Sequence, residues 1–267
     1  MSFVNYIPTD ILKPFINSFA ISINEKADSY KILPGTSIVM GFQFSGALSY
    51  SAKNVITPLK PAGVTGLIGT YRIFNNTENT GTVLVMFSET GAAAFFKDPL
   101  HEIFGQSLSL DDLMLRSQMD VVVEQINEAK TDTERINMVE KFLISRLKNN
   151  VQDDLVNIAV NFIKQSGGNI KIPALVEKLN ISQSQFEKRF RKIVGASPKK
   201  FASIVRFKNI LNSSSAKHNL TQLGLEAGYF DQAHFIKDFK SFTALTPEQY
   251  LLSKRLEIRK GSKVRKV

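Results

Sequence analysis

The C-terminal half of the chain contains an internal repeat, in which one segment recurs 49 residues later. The pairs at this offset are Ser182 and Asp231, Gln183 and Gln232, Phe186 and Phe235, Lys188 and Lys237, Phe190 and Phe239, Arg191 and Lys240, Ser197 and Thr246, Pro198 and Pro247, and Phe201 and Tyr250. A repeat implies duplicated structure. The chain must therefore build the same unit twice in this half.

The first copy predicts a helix, a tight turn and a second helix. Residues 173–179 form the short helix and Asn180-Ile181 the turn. Ser182 then caps a helix over 183–194, because its side chain can accept from the free amides of the first turn. Gly195 ends that helix, where a left-handed residue is easiest.

The second copy predicts the same unit with one more turn residue. Thr221 opens its short helix and Gly228-Tyr229-Phe230 makes the turn. Asp231 caps a helix from Gln232 to about Thr243. In each capped helix two phenylalanines lie four residues apart and share one face. We expect that face to be core, because the aromatics recur at helical period.

Charge is distributed unevenly along the chain. Residues 1–150 hold 13 Lys and Arg against 15 Asp and Glu, whereas residues 151–267 hold 21 against 9, a net charge of +12. A basic region favours nucleic acid, anionic lipid or an acidic protein as partner, although a basic domain without such a partner is an open alternative. The asymmetry suggests two domains with different partners.

The polar faces of the two capped helices are the candidate DNA-binding site. A helix fits the major groove, where long polar side chains near its N-terminus reach base edges and lysines or arginines meet phosphates. One such helix alone is more simply a solvated face, but two copies in a basic segment favour DNA. The predicted contacts are Gln183, Ser184, Glu187, Lys188, Arg191, Lys199, Lys200, Gln232, Ala233, Ile236, Lys237 and Lys240.

These residues resemble the AraC/XylS family of bacterial transcription regulators over roughly residues 155–252. The family's pattern, close to G-F-x-D-x-S-x-F-x-R-x-F-K and then S-P-x-x-Y, stands here as GYFDQAHFIKDFK and then TPEQY. The resemblance implies two helix-turn-helix motifs joined by a long helix, predicted over 198–212, with Arg206 as its structural arginine. It implies the docking mode and not the target sequence.

Three residues depart from the family pattern. Gly224 stands where Ala is usual, Ala233 where Ser is common, and Ala244 where Gly normally ends the last helix. At Ala244 we expect a different helix end. None of the three removes a feature that the fold requires.

Residues 1–110 are predicted to be mainly β-structure. Strand candidates lie over 37–44, 66–74 and 82–87, with a turn-forming run over 75–81. Short strands at such spacing indicate a sandwich or small barrel. The family resemblance implies a cupin-like sensor or dimerisation domain here, without specifying a ligand.

Two amphipathic helices are predicted after the β-region, over 120–129 and 132–148. They either pack back on the β-domain, which we favour, or pair with a second copy of the chain. The Lys-rich tail, 254–267, holds seven basic residues and one acidic residue. It adds nonspecific phosphate affinity or, as we favour, is a disordered terminus.

Several chemistries are excluded or disfavoured. Cysteine is absent, which removes disulfides, thiolate metal sites and cysteine nucleophiles and fits a reducing compartment. The three histidines, His101, His218 and His234, are far apart in sequence, so a metal-dependent cupin enzyme is disfavoured. We predict no catalytic residues, no metal and no cofactor. No secretory signal or membrane span is expected.

The sequence thus predicts an α+β chain of two domains. A cupin-like β-barrel or sandwich (1–110) is followed by linker or dimerisation helices (111–150), an all-α double helix-turn-helix domain (151–253) and the basic tail (254–267). The expected function is a cytoplasmic, sequence-specific transcription regulator. Its expected partners are double-stranded DNA, a small-molecule effector, a second copy and RNA polymerase. The alternatives are a ligand-independent or architectural DNA-binding protein and, less favoured, an enzyme tethered to DNA.

Overall fold

The structure is a computed structural model that describes residues 2–52, 55–113, 116–148, 153–213, 224–229 and 231–259. Its N-terminal part is a sandwich of two antiparallel sheets and its C-terminal part is helical. The predicted α+β class with two domains is confirmed. Of the two predicted β-architectures, the structure forms the sandwich and not a closed barrel.

The larger sheet has six strands in the order β1-β2-β9-β4-β7-β10. Its strands are β1 (Ser2–Tyr6), β2 (Ile16–Asn24), β4 (Val39–Ser45), β7 (Ala62–Thr65), β9 (Thr80–Phe87) and β10 (Ser107–Ser109). The central strand β9 is buried on both faces because its run TVLVMF is apolar and β-branched. The strand candidates over 37–44 and 82–87 fall in this sheet.

The smaller sheet has four strands in the order β3-β8-β5-β6. These are β3 (Asp28–Ile32), β5 (Leu48–Ala52), β6 (Val55–Pro58) and β8 (Arg72–Asn76). The strand predicted over 66–74 is wrong in its first half, because residues 66–71 form the connection between β7 and β8. A Cβ on Gly66 would lie 2.1 Å from the Ile103 carbonyl oxygen, so this segment is fixed by close packing and not by strand pairing.

Two helices follow the sandwich, α1 (Arg116–Glu128) and α2 (Asp132–Arg146). Thr131 and Glu134 form a capping box at the start of α2. The apolar stripes of both helices, including Ile126, Val139 and Leu143, lie in the same hydrophobic core as β4 and β9. The helices therefore pack back on the sheet, as favoured from the sequence.

The C-terminal part contains six helices within the described residues. They are α3 (Asp154–Gln165), α4 (Ile172–Lys178), α5 (Gln183–Val194), α6 (Pro198–Ser213), α7 (Gln232–Thr243) and α8 (Pro247–Arg259). A helical turn at residues 224–226 precedes the turn before α7. Thr221, His218 and residues 260–267 of the predicted tail lie outside the described residues.

Hydrophobic packing divides the molecule into two cores. Among the described residues, one core runs from the sandwich through α3, α4, α5 and one face of α6, whereas a smaller one joins the other face of α6 to α7 and α8. The repeat phenylalanines are divided between them: Phe186 and Phe190 lie in the first, and Phe235 and Phe239 in the second. All four are at most 1% exposed, which confirms that they are packing residues.

Candidate nucleic-acid interface

The first helix-turn-helix is formed by α4 and α5. Asn180 takes a left-handed conformation in the turn, with φ of 50°, and the Ser182 hydroxyl accepts from the Gln185 amide at 3.4 Å. Gly195 ends α5 with φ of 90°. The turn, the cap and the helix end all lie where the sequence predicts them.

The outer face of α5 carries the predicted DNA contacts of the first copy. Gln183, Ser184, Lys188 and Arg191 are exposed and Glu187 is partly exposed. The Gln183 amide donates to a Glu187 carboxylate oxygen at 3.0 Å, one helical turn along the same face. The face therefore presents donors and acceptors together, which is what base-edge recognition requires.

Arg189 lies on α5 but points away from this face. Its guanidinium donates twice to the Asp153 carboxylate, both at 2.9 Å. Asp153 also caps α3 by accepting from the Val156 amide. This pair fixes α5 against α3. The sequence does not predict this pair, although the position of Arg189 on the opposite side of α5 from the predicted reading face indicates a different partner.

The second helix-turn-helix comprises the described residues 224–229 and 231–243. Phe230 of its predicted turn lies outside the described residues. Gly228 is left-handed, with φ of 82°, and the Asp231 carboxylate accepts from the His234 amide at 2.7 Å. Gln232, Ala233, Lys237 and Lys240 are exposed on α7, and Ile236 is partly exposed. The two helices thus present equivalent positions, which remain predicted DNA contacts.

The underside of α7 is held by a polar cluster around Tyr229. The Arg206 guanidinium lies 5.0 Å from the Tyr229 ring centroid and donates to the Gly168 carbonyl at 2.8 Å. Burial, together with the Asp238 carboxylate, raises the pKa of the Tyr229 hydroxyl. Arg206 therefore joins the two halves of the DNA-binding domain, which fits the structural role implied by the family resemblance.

Ala244 takes the left-handed conformation itself, with φ of 62°. Its amide donates to the Lys240 carbonyl at 2.8 Å, the same end that a glycine would make. The expectation of a different helix end at this position is wrong. The helix ends in the usual way, at the cost of a strained alanine.

Lys199 and Lys200 are adjacent but occupy different environments. Lys199 is exposed. The Lys200 ammonium donates to the Gly69 carbonyl of the N-terminal domain at 3.1 Å, and burial lowers its pKa. Lys200 therefore faces the sandwich. It does not lie among the exposed side chains of α5 and α7.

Two cavities lie where the sandwich meets the first helix-turn-helix. One has a volume of about 210 Å³ and is lined by residues that include Phe15, Thr90 and Asn157. The other, of about 630 Å³, is lined in part by Lys97, Lys148, Lys192 and Ile193. Both are formed jointly by the two domains.

Neither a metal cluster nor a membrane-spanning helix is found in the part of the chain that the structure describes. No three His, Asp or Glu side chains there converge as a metal site. The described helices are also too short or too polar to cross a bilayer.

Two known domain families match separate parts of the chain. Residues 175–253 match a family described as a helix-turn-helix domain, and residues 4–109 match one described as a domain of unknown function. The helix-turn-helix match covers α5, α6 and α7 in full and parts of α4 and α8, and so includes both copies of the repeat. These matches support the resemblance to the AraC/XylS family.

Two curated relatives of this chain carry regulator names. An uncharacterized HTH-type transcriptional regulator of Haemophilus influenzae is 29% identical over 158 residues, covering 57% of this chain and 51% of the relative. The Msm operon regulatory protein of Streptococcus mutans is 26% identical over 151 residues, covering 51% of this chain and 54% of the relative. The matches thus span about half the length of each relative.

Among solved structures, the chain is similar to ToxT of Vibrio cholerae, with 14% sequence identity and a TM-score of 0.47. That alignment covers 88% of this chain and 98% of ToxT.

Proposed function

We propose that this chain is a sequence-specific DNA-binding transcription regulator. The observation that carries the proposal is the pair of side-chain-capped helices, α5 and α7, each seated on buried phenylalanines with its polar face exposed. The first turn of each helix carries an exposed glutamine, Gln183 in α5 and Gln232 in α7. Two equivalent reading surfaces in one domain favour recognition of two DNA segments in successive major grooves.

Charge supports the same function. The region from residue 151 onward has a net charge of +12, and Lys188, Arg191, Lys237 and Lys240 are exposed beside the polar reading residues. Such side chains neutralise phosphates and make binding depend on salt. As a DNA-binding regulator of the type that the AraC/XylS resemblance implies, the chain would act in the cytoplasm of a bacterial cell.

Selection from a random duplex library at physiological salt tests the proposal. We expect the bound DNA to contain two preferred blocks about one helical turn apart. Binding without sequence preference that simply fades as salt rises would reject the specific regulator in its free state and leave an architectural protein. An architectural protein shows little preference among duplexes at matched salt.

We further propose that a small molecule modulates DNA binding through the N-terminal domain. The cavity of about 630 Å³ supports this, because Lys97 and Lys148 on one side and Lys192 on the other belong to different domains. A ligand bound there contacts α5 and the sandwich together. It changes DNA binding only if it binds two arrangements of the domains differently.

Thermal-shift screening against a metabolite panel tests the effector. A specific ligand raises the unfolding temperature by mass action. We expect the Lys192→Ala variant to lose that shift, whereas Lys141→Ala, an exposed residue of α2 outside the cavity lining, keeps it. A panel that gives no shift, with unchanged operator affinity, would favour regulation by protein concentration alone.

A further inference from the structure

The first helix-turn-helix is joined to the sandwich by apolar packing. Ile193, Val194 and Ala196 share one hydrophobic core with Leu100 and Ile103 of the N-terminal domain. Separation of the two would expose this buried apolar surface to water, which is unfavourable. The N-terminal domain and the first helix-turn-helix therefore form one unit.

The second helix-turn-helix is attached differently. The connecting helix α6 contributes to its core as well as to the first one. This second core consists of Ile204, Phe207, Ile210, Tyr229, Phe235, Phe239, Phe242 and Tyr250. From the described part of the sandwich, Leu33 is the one hydrophobic residue that packs against this core, and it is only partly buried. Apolar contact alone does little to fix the second unit against the sandwich.

Hydrogen bonds from the sandwich hold the last turn of α7. The Lys31 ammonium donates to the Thr243 carbonyl at 3.1 Å, and the Thr70 hydroxyl donates to the Ser241 carbonyl at 2.7 Å. Carbonyls in the last turn of a helix have no partner within the helix, and a cation there also interacts favourably with the helix dipole. The sandwich thus supplies the partners that this helix end lacks.

A third contact joins the loop over 66–71, which carries Thr70, to the connecting helix α6. Lys200 donates to the Gly69 carbonyl, and its ammonium lies 4.4 Å from the ring centroid of Phe242 on α7. A Cβ on Gly69 would come within 3.2 Å of the Lys200 side chain, so the loop approaches closely here. We call Lys31, Thr70 and the Gly69–Lys200 contact the latch.

The latch leaves the reading face of α7 free. It holds the C-terminal end of the helix, whereas Gln232, Ala233 and Lys237 are exposed toward the N-terminal end. A contact that holds a helix without covering its reading face positions the helix instead of blocking it. The first unit is fixed to the sandwich by its core, and α6 and the Arg206–Gly168 contact join the two units. The latch adds the contacts that hold the end of the second reading helix against the sandwich.

We infer that Lys31 and Thr70 of the N-terminal domain are positioning residues that set the spacing between the two DNA blocks. This rests on the proposed function. The pattern of contacts predicts that loss of the latch alters recognition of the second block relative to the first, while each helix still reads its own block.

The test uses the full chain with Lys31→Met/Thr70→Val, which removes both donors, and Lys31→Arg/Thr70→Ser, which keeps them. Duplexes carry the two selected blocks at separations changed by one or two base pairs, or the first block alone. We expect the donor-free variant to bind the preferred spacing at least 3-fold more weakly and to lose most of the wild-type preference among spacings. The donor-keeping variant should resemble wild type, and affinity for the first block alone should be equal in all three.

Hydrogen exchange checks the same variants without DNA. Amides of residues 232–243 should exchange faster in the donor-free variant, and amides of 183–194 should not change. An unchanged spacing preference in that variant would overturn the inference. Equal weakening on the first block alone would also overturn it, because it would indicate general unfolding. Failure of wild type to select any blocks would instead reject the proposed function itself.

Discussion

The Lys200 ammonium donates to the backbone carbonyl of Gly69, 131 residues earlier in the chain, at 3.1 Å. Its neighbour Lys199 is exposed to solvent. Two adjacent lysines that look equivalent in the sequence therefore have different partners. This separation makes the pair a natural comparison for DNA binding.

We expect Lys199→Ala to weaken DNA binding about equally on all sequences and to lower the slope of log affinity against log salt by about 1, as loss of one phosphate contact does. Lys200→Met should leave the slope unchanged and instead lower the unfolding temperature. Filter binding across a salt series, with differential scanning calorimetry of both variants, measures these effects. A reduced salt slope in Lys200→Met would restore Lys200 to the predicted phosphate contacts.

Gln232→Ala should reduce discrimination at one or two base positions by on the order of 1–3 kcal/mol, because Gln232 is exposed in the first turn of α7. Gln185→Ala is the matched control, since Gln185 is exposed on α5 beside the predicted reading residues but outside their set. Competition binding with single-base operator variants checks both. If Gln232→Ala keeps its base preference, the residue does not read bases.

Gly224→Ala should destabilise the second helix-turn-helix by about 1–3 kcal/mol through overpacking. A Cβ at this position would lie 2.6 Å from the Phe235 ring, although Ala is usual here in the family pattern. The control is Gly35→Ala, where a Cβ would meet no atom within 4 Å. Urea unfolding of both variants gives the difference. Equal stability of the two would mean that Phe235 moves aside without cost.

Ala244→Gly should raise the free energy of unfolding by about 1 kcal/mol, because an L-residue pays roughly that cost in the left-handed region and glycine does not. The φ of Ala244 is 62°. Chemical denaturation at pH 7 measures the gain, with Ala233→Gly, in the first turn of α7, expected to destabilise. A loss of stability in Ala244→Gly would contradict the assigned backbone conformation.

Stability should fall at alkaline pH through Tyr229. Burial raises the pKa of its hydroxyl above the ordinary value of 10.0. The folded state therefore keeps a proton that the unfolded chain releases, and the unfolding free energy decreases as pH rises above about 10. In Tyr229→Phe this decrease should be smaller. Urea unfolding midpoints of both proteins at pH 8 to 11 measure this loss of stability. An identical loss in the variant would mean that groups other than Tyr229 cause it.

The sequence alone determined the local structure of the DNA-binding half. Ser182, Gly195 and Asp231 act on amides or dihedral angles within a few residues of themselves, so their roles follow from position along the chain. The helical period of Phe186 and Phe190 likewise identified a buried face. These signals are local, and they placed α5 and α7 with their caps.

Only the tertiary structure decided which groups meet across the two domains. The partners of Lys31, Thr70 and Lys200 are backbone carbonyls, which every residue carries, so no residue type in the sequence marks them. The loop over 66–71 was mistaken for strand because its close packing against Ile103 depends on a distant segment. The sequence determined each reading helix, and the packing of the two domains decided how the second is held relative to the first.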